Sequence, residues 1–122
     1  MQRVGVDIIE IGRIRATVER WGVRFLNRIY TPTELAYARG RAPQLAARFA
    51  SKEAVMKLLG TGIRGVAWRE IEVVRQRSGA PAVALHGRAL QRARRLGLGE
   101  VSLSISHSRE YAVAFAVGQA DR

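Results

Sequence analysis

A strict alternation of apolar and polar residues near the C-terminus is the clearest structural pattern in this sequence. Apolar residues occupy every second position from Val101 to Ile105, with serines between them, which predicts a β-strand whose apolar face ends at His107. After a turn, the segment from Tyr111 to Val117 alternates again, with three alanines on one face. The C-terminal part of the chain should therefore contribute two strands.

The N-terminal segment 4–11 is almost continuously apolar and predicts a short buried strand. Asp7 interrupts this segment, and an unpaired carboxylate in such a place costs several kcal/mol. Asp7 should therefore contact a cation, a metal ion or strong hydrogen-bond donors, or lie at the open end of the strand. A simple ion pair with one of the many arginines is an equally good interpretation.

The hydrophobic period changes to that of an α-helix in five segments: 11–21, a short segment around 25–29, 31–39, 45–59 and 87–96. The third of these has a strong start signal. Thr31 is a good N-cap, Pro32 stands in the first turn, and Glu34 occupies the position of a capping box.

Segments 70–77 and 82–85 flank Ser78-Gly79-Ala80-Pro81, which carries the turn chemistry of a β-hairpin. No internal repeat or linker interrupts the order of elements. We therefore expect a single α+β domain covering residues 1–122, in which an antiparallel sheet packs against a long helix. A chain of 122 residues with 48% apolar content can bury a core, but a deep active-site cleft would need walls from a neighbouring subunit.

The composition restricts the chemistry and the partners. There is no cysteine, which excludes disulfides and thiolate metal sites. No signal peptide or long apolar segment is seen, so we expect a cytoplasmic protein without a membrane partner. The formal net charge of +11 predicts a polyanionic partner, either a nucleic acid, an acidic protein or a phosphate-rich small molecule. Helix-turn-helix, zinc-finger and RNA-recognition signatures are missing from the sequence, which weighs against nucleic acid.

Only two of the 21 cationic side chains are lysines, and both, Lys52 and Lys57, lie in the long helix. In a chain that otherwise uses arginine, a lysine indicates a place where a compact ammonium group is needed. Arg48 and Lys52 fall within the apolar side of this helix and so require an anion, whereas Glu53 and Lys57 lie four residues apart on one edge. That spacing by itself favours a surface ion pair contributing about 0.3–0.5 kcal/mol.

Several other features have both a structural and a functional interpretation. Gly60 and Gly62 follow the long helix, either as ordinary terminating glycines or as a place where a ligand approaches the backbone. His107 is typical of a buried core histidine, and His86 has no supporting context. The basic segment 13–28 mixes arginines with apolar residues, as either a solvated surface or a surface suited to an acidic amphipathic helix.

Three blocks of the sequence, taken together, resemble one known family. They are Gly5-Val-Asp7-Ile-Ile-Glu10-Ile, then Arg48-Phe-Ala-Ser-Lys52-Glu53-Ala-Val-Met-Lys57 with Gly60-Thr-Gly62, and finally Ser104-Ile-Ser-His107-Ser. In this order they resemble the holo-[acyl-carrier-protein] synthase family of small phosphopantetheinyl transferases, and the match covers nearly the whole chain. The resemblance implies magnesium-dependent transfer of the phosphopantetheine arm of coenzyme A to a serine of apo-acyl carrier protein, with release of adenosine 3′,5′-bisphosphate.

The resemblance also implies roles for individual residues. Asp7 and Glu53 match the metal-binding acids, and Lys57 matches a lysine that neutralises charge on the pyrophosphate, so these three are the implied catalytic residues. Glu53 would take the proton of the attacking serine, directly or through a metal-bound water. The positions that match the coenzyme A site are Arg48, Lys52, Lys57, Gly60, Gly62 and His107. The positions that match contacts with the acidic carrier protein are Arg13, Arg24, Phe25 and Arg28.

Members of this family form trimers with active sites between subunits. The resemblance therefore implies a homotrimer, in which the alanine face of the last strand would permit close approach at the three-fold axis. Ile9 stands where larger, monomeric relatives place a second acid. This difference agrees with the small trimeric class and leaves the metal with fewer protein ligands.

Two other classes of function are alternatives. A basic nucleic-acid- or ribosome-binding module would explain the charge but not the pair of Asp7 and Glu53. Such a module would bind with a steep salt dependence that loss of either acid leaves unchanged. An inactive interaction subunit with the same fold would not need the full set of acids and lysines.

Overall fold

The computed structural model describes residues 1–121. Its elements in chain order are β1 (Gln2–Glu10), α1 (Ile11–Trp21), α2 (Val23–Ile29), α3 (Pro32–Ala38), α4 (Ala42–Leu59), a 3-10 turn (Trp68–Glu70), β2 (Ile71–Arg75), β3 (Pro81–Leu85), α5 (Gly87–Leu96), β4 (Val101–His107) and β5 (Tyr111–Gln119). The helices and strands predicted from the sequence are confirmed, including the capping box at Thr31 and Glu34. β5 is longer than predicted, and the first hairpin strand is shorter.

The strands form two antiparallel sheets. One has the order β1-β5-β4, and the other is the hairpin of β2 and β3. β5 is the central strand of the larger sheet, and its register with β1 pairs Asp7 with Ala114 and Ile9 with Ala112. Asp7 therefore shares a sheet face with the alanines of β5, and this face packs against α4.

The helix α4 lies very close to the sheet because small residues line its path. A Cβ atom on Gly5 would lie 1.8 Å from the carbonyl oxygen of Ala54. Ala112, Ala114 and Ala116 have no exposed surface. Since α4 already covers the alanine face within one chain, the prediction that this face approaches a three-fold axis is wrong.

The opposite face of the same sheet is exposed; it is apolar on β1 and β5, while β4 contributes Ser102, Ser104 and Ser106 to it. On β1, Val4, Val6 and Ile8 are 55%, 50% and 62% exposed, and Phe115, the register partner of Val6, is 44% exposed. The prediction of a buried N-terminal strand therefore holds for one face of β1 only. The sequence could not show this, because both faces of the strand carry apolar residues.

The long helix ends at Gly60, which adopts a left-handed conformation with φ of 73°. Two guanidinium groups satisfy its last carbonyls: Nε of Arg3 donates to the oxygen of Leu58 at 2.7 Å, and Nε of Arg92 donates to that of Leu59 at 2.9 Å. Cations at this end also interact favourably with the partial negative charge of the helix dipole. Gly60 therefore terminates the helix, which confirms the structural interpretation of this glycine.

Candidate active site

Asp7 of β1 and Glu53 of α4 line one open cleft of about 300 Å³. The close crossing of Gly5 and Ala54 explains the meeting, because the acids lie two and one residues from these contact points. Phe25 and Phe49 form an apolar part of the cleft wall, and Arg13 lines the same cleft. The two acids that the resemblance placed together are thus neighbours in the structure.

The proximity of the two acids affects the pKa of Glu53. The pKa of the Glu53 carboxyl is raised above its ordinary value, first by burial and then by the negative charge of Asp7, while Lys57 opposes the rise. A divalent cation between two such carboxylates would offset both effects, and oxygen ligands of this kind suit magnesium. Within residues 1–121 no cluster of three or more His, Cys, Asp or Glu side chains suited to a metal ion occurs. A bound ion would therefore take two carboxylates from the chain and its other ligands from substrate and water.

Lys57 lies at the mouth of the cleft, with its side chain 54% exposed. Its Nζ atom donates to the carbonyl oxygen of Val6 at 2.9 Å and contacts Oδ1 of Asp7 at 3.3 Å. The prediction that Asp7 meets a cation is confirmed. The predicted ion pair between Lys57 and Glu53 is wrong, because β1 passes close enough to α4 for Asp7 to take the ammonium group instead.

Lys52 does not reach the cleft. It has no exposed surface, and its Nζ atom lies 2.8 Å from Oε1 of Glu34 and donates to the carbonyls of Trp68 and Ile71. Burial lowers the pKa of Lys52, while Glu34 opposes that shift. The required anion is thus Glu34, which the sequence indicated only as a capping residue. The implied contact of Lys52 with coenzyme A does not fit this position, because the ammonium is used inside the core.

The capping pair of Thr31 and Glu34 continues into a chain of polar contacts that the sequence did not indicate. Thr31 donates its hydroxyl to Glu72 at 2.6 Å, and the other oxygen of Glu72 lies 3.1 Å from Nε2 of His86. The hydrogen bond from Thr31 holds the pKa of Glu72 below its usual range against the effect of burial, and His86 adds to the lowering. His86, which had no context in the sequence, therefore has a carboxylate partner.

Arg48 is buried on another side of α4 and is not part of the acid cleft. Its guanidinium lies 4.2 Å from the centre of the Tyr37 ring, which Arg75 and Arg41 also approach, at 4.7 and 5.5 Å. Burial lowers the pKa of Arg48. Among the described residues no hydrogen-bond partner for its Nε and no carboxylate paired with it is found. The anion predicted for Arg48 is therefore not supplied by residues 1–121.

The remaining residues of the implied coenzyme A site lie apart from the acids. His107 is exposed at the end of β4, so the interpretation as a buried core histidine is wrong. β5 separates β4 from β1, and two strand spacings put His107 roughly 10 Å from the strand that carries Asp7. Gly62 is exposed, with open space where a Cβ atom would point. Within one chain, Lys57 lies beside the acids, whereas Arg48, Lys52 and His107 do not converge on them.

The implied carrier-protein residues do lie beside the acid cleft. A second open groove, of about 420 Å³, is lined by Thr17, Trp21, Arg24, Phe25 and Arg28. Thr17 and Phe25 also line the acid cleft, so the two cavities are adjacent. Sequence reasoning missed Thr17 and Trp21, although the mixture of apolar and basic residues in this segment was a signal for the groove.

Comparison with known proteins agrees with this fold. Residues 3–116 match the family model of the 4′-phosphopantetheinyl transferase superfamily. The chain therefore belongs to the 4′-phosphopantetheinyl transferase superfamily. It is 51% identical to a holo-[acyl-carrier-protein] synthase of Dehalococcoides mccartyi. The match extends over 119 residues and covers 98% of this chain and 99% of that relative.

Solved structures show the same similarity. A Helicobacter pylori holo-[acyl-carrier-protein] synthase in complex with coenzyme A is 30% identical, with a TM-score of 0.87, over 95% of this chain and 99% of that one. The corresponding synthase of Neisseria meningitidis is 37% identical, with a TM-score of 0.86, over 96% and 97% of the two chains. The predicted fold class and family are confirmed. The nucleic-acid-binding alternative is correspondingly disfavoured.

No helix in residues 1–121 is both long and apolar enough to cross a bilayer. The expected cytoplasmic location stays a prediction.

Proposed function

We propose that this chain transfers the 4′-phosphopantetheine arm of coenzyme A to a serine of an apo-acyl carrier protein and releases adenosine 3′,5′-bisphosphate. The observation that carries the proposal is the meeting of Asp7 and Glu53 in one cleft with Lys57 at its mouth. The name of the Dehalococcoides mccartyi relative and the coenzyme A bound to the Helicobacter pylori protein support the same activity.

Asp7 and Glu53 would hold Mg²⁺, because two adjacent carboxylates with a raised Glu53 pKa match an ion that accepts hard oxygen ligands. When bound, the ion would supply positive charge to the pyrophosphate of coenzyme A. Phosphoryl transfer depends mainly on positioning and charge stabilisation, so the acids need form no covalent bond to substrate.

Lys57 would stabilise charge on the pyrophosphate. An ammonium group has three N–H donors, and Val6 and Asp7 occupy two of them. The third donor, on a side chain that is more than half exposed, is available to a phosphate oxygen.

Glu53 would accept the proton of the attacking serine. It lines the cleft that adjoins the groove of Arg24 and Arg28, so a serine presented from that groove would lie near its carboxylate. The wall that Phe25 and Phe49 add to the cleft would shield this proton transfer from bulk water.

The nucleotide end of coenzyme A would contact Arg48 and the two guanidinium groups that share the Tyr37 ring. A buried Nε without a partner beside two further cations is a place for an external anion. Lys52 is left out of this proposed site because its ammonium is used by Glu34. Since Arg48 and His107 are both separate from the acid cleft of their own chain, a second copy of the chain would be needed to bring these groups together.

The exposed apolar face of the three-stranded sheet is the surface through which we propose that a homotrimer forms. Val4, Val6, Ile8 and Phe115 form the apolar part of this face, and leaving such a patch in water is unfavourable. Phe115→Glu should place a charge in the interface, so trimer and transfer activity should be lost together in sedimentation and activity assays. A fully active monomer would show that one chain suffices.

The proposed function is tested by incubating the protein with coenzyme A, Mg²⁺ and a purified apo-carrier protein, followed by mass spectrometry of the carrier. The carrier should gain one phosphopantetheine group, and chromatography should detect adenosine 3′,5′-bisphosphate in equal amount. Asp7→Asn and Glu53→Gln are the controls, and chelation of the metal should have the same effect as either substitution. No mass gain, under conditions where an established synthase modifies the same carrier, would reject the proposal.

A further inference from the structure

Two large apolar side chains are exposed on the basic helices α1 and α2. Trp21 is 51% exposed and Val23 is 67% exposed. Gly22 lies between them, with φ of 55°, and forms the junction of the two helices. The guanidinium of Arg20 lies 5.1 Å from the centre of the Trp21 ring. An exposed tryptophan flanked by arginine is typical of the centre of a protein-binding surface.

Trp21 lines the 420 Å³ groove. The charged residues that line this groove, Arg24 and Arg28, are both cations. Neither arginine pairs with a carboxylate in the part of the chain that the structure describes. The groove shares Thr17 and Phe25 with the acid cleft. A molecule bound in the groove would therefore lie directly beside the proposed reacting groups.

We propose that Trp21 is the apolar anchor for an acidic amphipathic helix of the carrier protein. Its ring packs against apolar side chains of that helix, while Arg24 and Arg28 face the helix carboxylates. The proposal rests on the proposed function, which makes an acidic carrier the second substrate. Charge complementarity selects this occupant, and the continuity of the groove with the acid cleft puts its serine within reach of Glu53.

The two kinds of side chain should act on different steps of binding. Exposed arginines accelerate association through long-range attraction, an effect that salt screens. A desolvated tryptophan slows dissociation through apolar contact, which salt does not screen. Loss of Trp21 should therefore weaken the carrier complex at every ionic strength, whereas loss of Arg24 should matter less as salt increases.

The test compares Trp21→Ala, Trp21→Phe and Arg24→Ala with the unmodified protein at two ionic strengths. Arg94→Ala, an exposed arginine on α5, is the control for general surface charge. The readouts are KM for apo-carrier, KM for coenzyme A, kcat at saturating carrier, and the dissociation rate of the carrier complex. Trp21→Ala should raise the carrier KM and the dissociation rate about 10-fold or more at both ionic strengths. Trp21→Phe should lose less, and the KM for coenzyme A and kcat should change little.

A second readout uses the unmodified protein. Of its two tryptophans, Trp68 is buried, so acrylamide should quench mainly Trp21. Adding a tryptophan-free apo-carrier protein should protect this fluorescence.

An unchanged carrier KM in Trp21→Ala, an equal rise in the KM for coenzyme A, or unchanged quenching would each overturn the anchor. Transfer by the unmodified protein would still support the proposed function in those cases. Absence of any transfer by the unmodified protein would reject the proposed function instead.

Discussion

Lys52→Met tests whether the buried lysine serves the fold or the reaction. Methionine keeps an unbranched apolar side chain but removes the ammonium that lies 2.8 Å from Glu34 and donates to the carbonyls of Trp68 and Ile71. Both side chains of the ion pair have no exposed surface. Removing one partner of a buried pair typically costs about 3–5 kcal/mol. For a domain of this size, that loss corresponds to a decrease of roughly 10–20 °C in the thermal midpoint.

Lys57→Met is the matched control, because the same substitution is made five residues later in the same helix, on an exposed side chain. The contact of Lys57 with Asp7 should contribute at most about 1 kcal/mol to stability. Its loss should nevertheless slow transfer on the order of 10²-fold, since a preorganised charge-stabilising donor is removed. Lys52→Met should show the reverse, with low stability and near-normal turnover well below its thermal midpoint.

Denaturant unfolding and a transfer assay on the same samples measure both quantities. Adding Glu34→Gln to Lys52→Met removes the stranded carboxylate charge and should recover about 1–3 kcal/mol, the usual size of a coupling between contacting residues. The reasoning fails if Lys52→Met stays within about 1 kcal/mol of the unmodified protein. It also fails if that variant is stable but loses affinity for coenzyme A.

Three further predictions concern the acids, the helix crossing and the exposed lysine. Glu53→Gln should raise the thermal midpoint of the metal-free protein at neutral pH, because the raised pKa means that the charged carboxyl is disfavoured in the folded state. The gain should vanish below the pKa of an ordinary glutamate, where the carboxyl is protonated in both states, and a gain that persists there would contradict the argument. Mg²⁺ should raise the midpoint of the unmodified protein but not that of Glu53→Gln. Gly5→Ala should cost several kcal/mol in denaturant unfolding because its Cβ would overlap the carbonyl oxygen of Ala54, whereas Gly12→Ala, at an open helical position, should be neutral or stabilising. Equal stability of the two variants would reject the close crossing. Lys57→Arg should have lower turnover than the unmodified protein, since a planar guanidinium replaces a compact ammonium poorly. A fully active Lys57→Arg variant would refute the argument from lysine scarcity.

Local sequence patterns were sufficient for most of the secondary structure. The alternation in β4 depends only on neighbouring residues, and so does the capping box of Thr31 and Glu34. The acids Asp7 and Glu53 were identifiable for a different reason. A carboxylate in an apolar strand and a glutamate beside a rare lysine are unusual enough to be noticed, and the family resemblance connected them.

Tertiary structure alone decided which charged groups meet. The spacing of Glu53 and Lys57 predicted a pair on one helix, but β1 lies close enough for Asp7 to take the lysine. Lys52 needed an anion, and nothing local showed that it would be Glu34, on a different helix. Such choices depend on distances between elements that are far apart in the chain.

Tertiary structure also decided which sheet face is covered. Alternation in β5 showed that one face carries alanines and the other carries larger side chains, but both faces are apolar enough to be buried. Because Gly5 has no Cβ atom, α4 can approach the sheet closely, and the alanines of β5 accommodate that approach. The alanine face is therefore buried within the chain. The larger apolar face, with Val6 and Phe115, is left exposed because residues 1–121 form no second helix as long as α4 that could cover it.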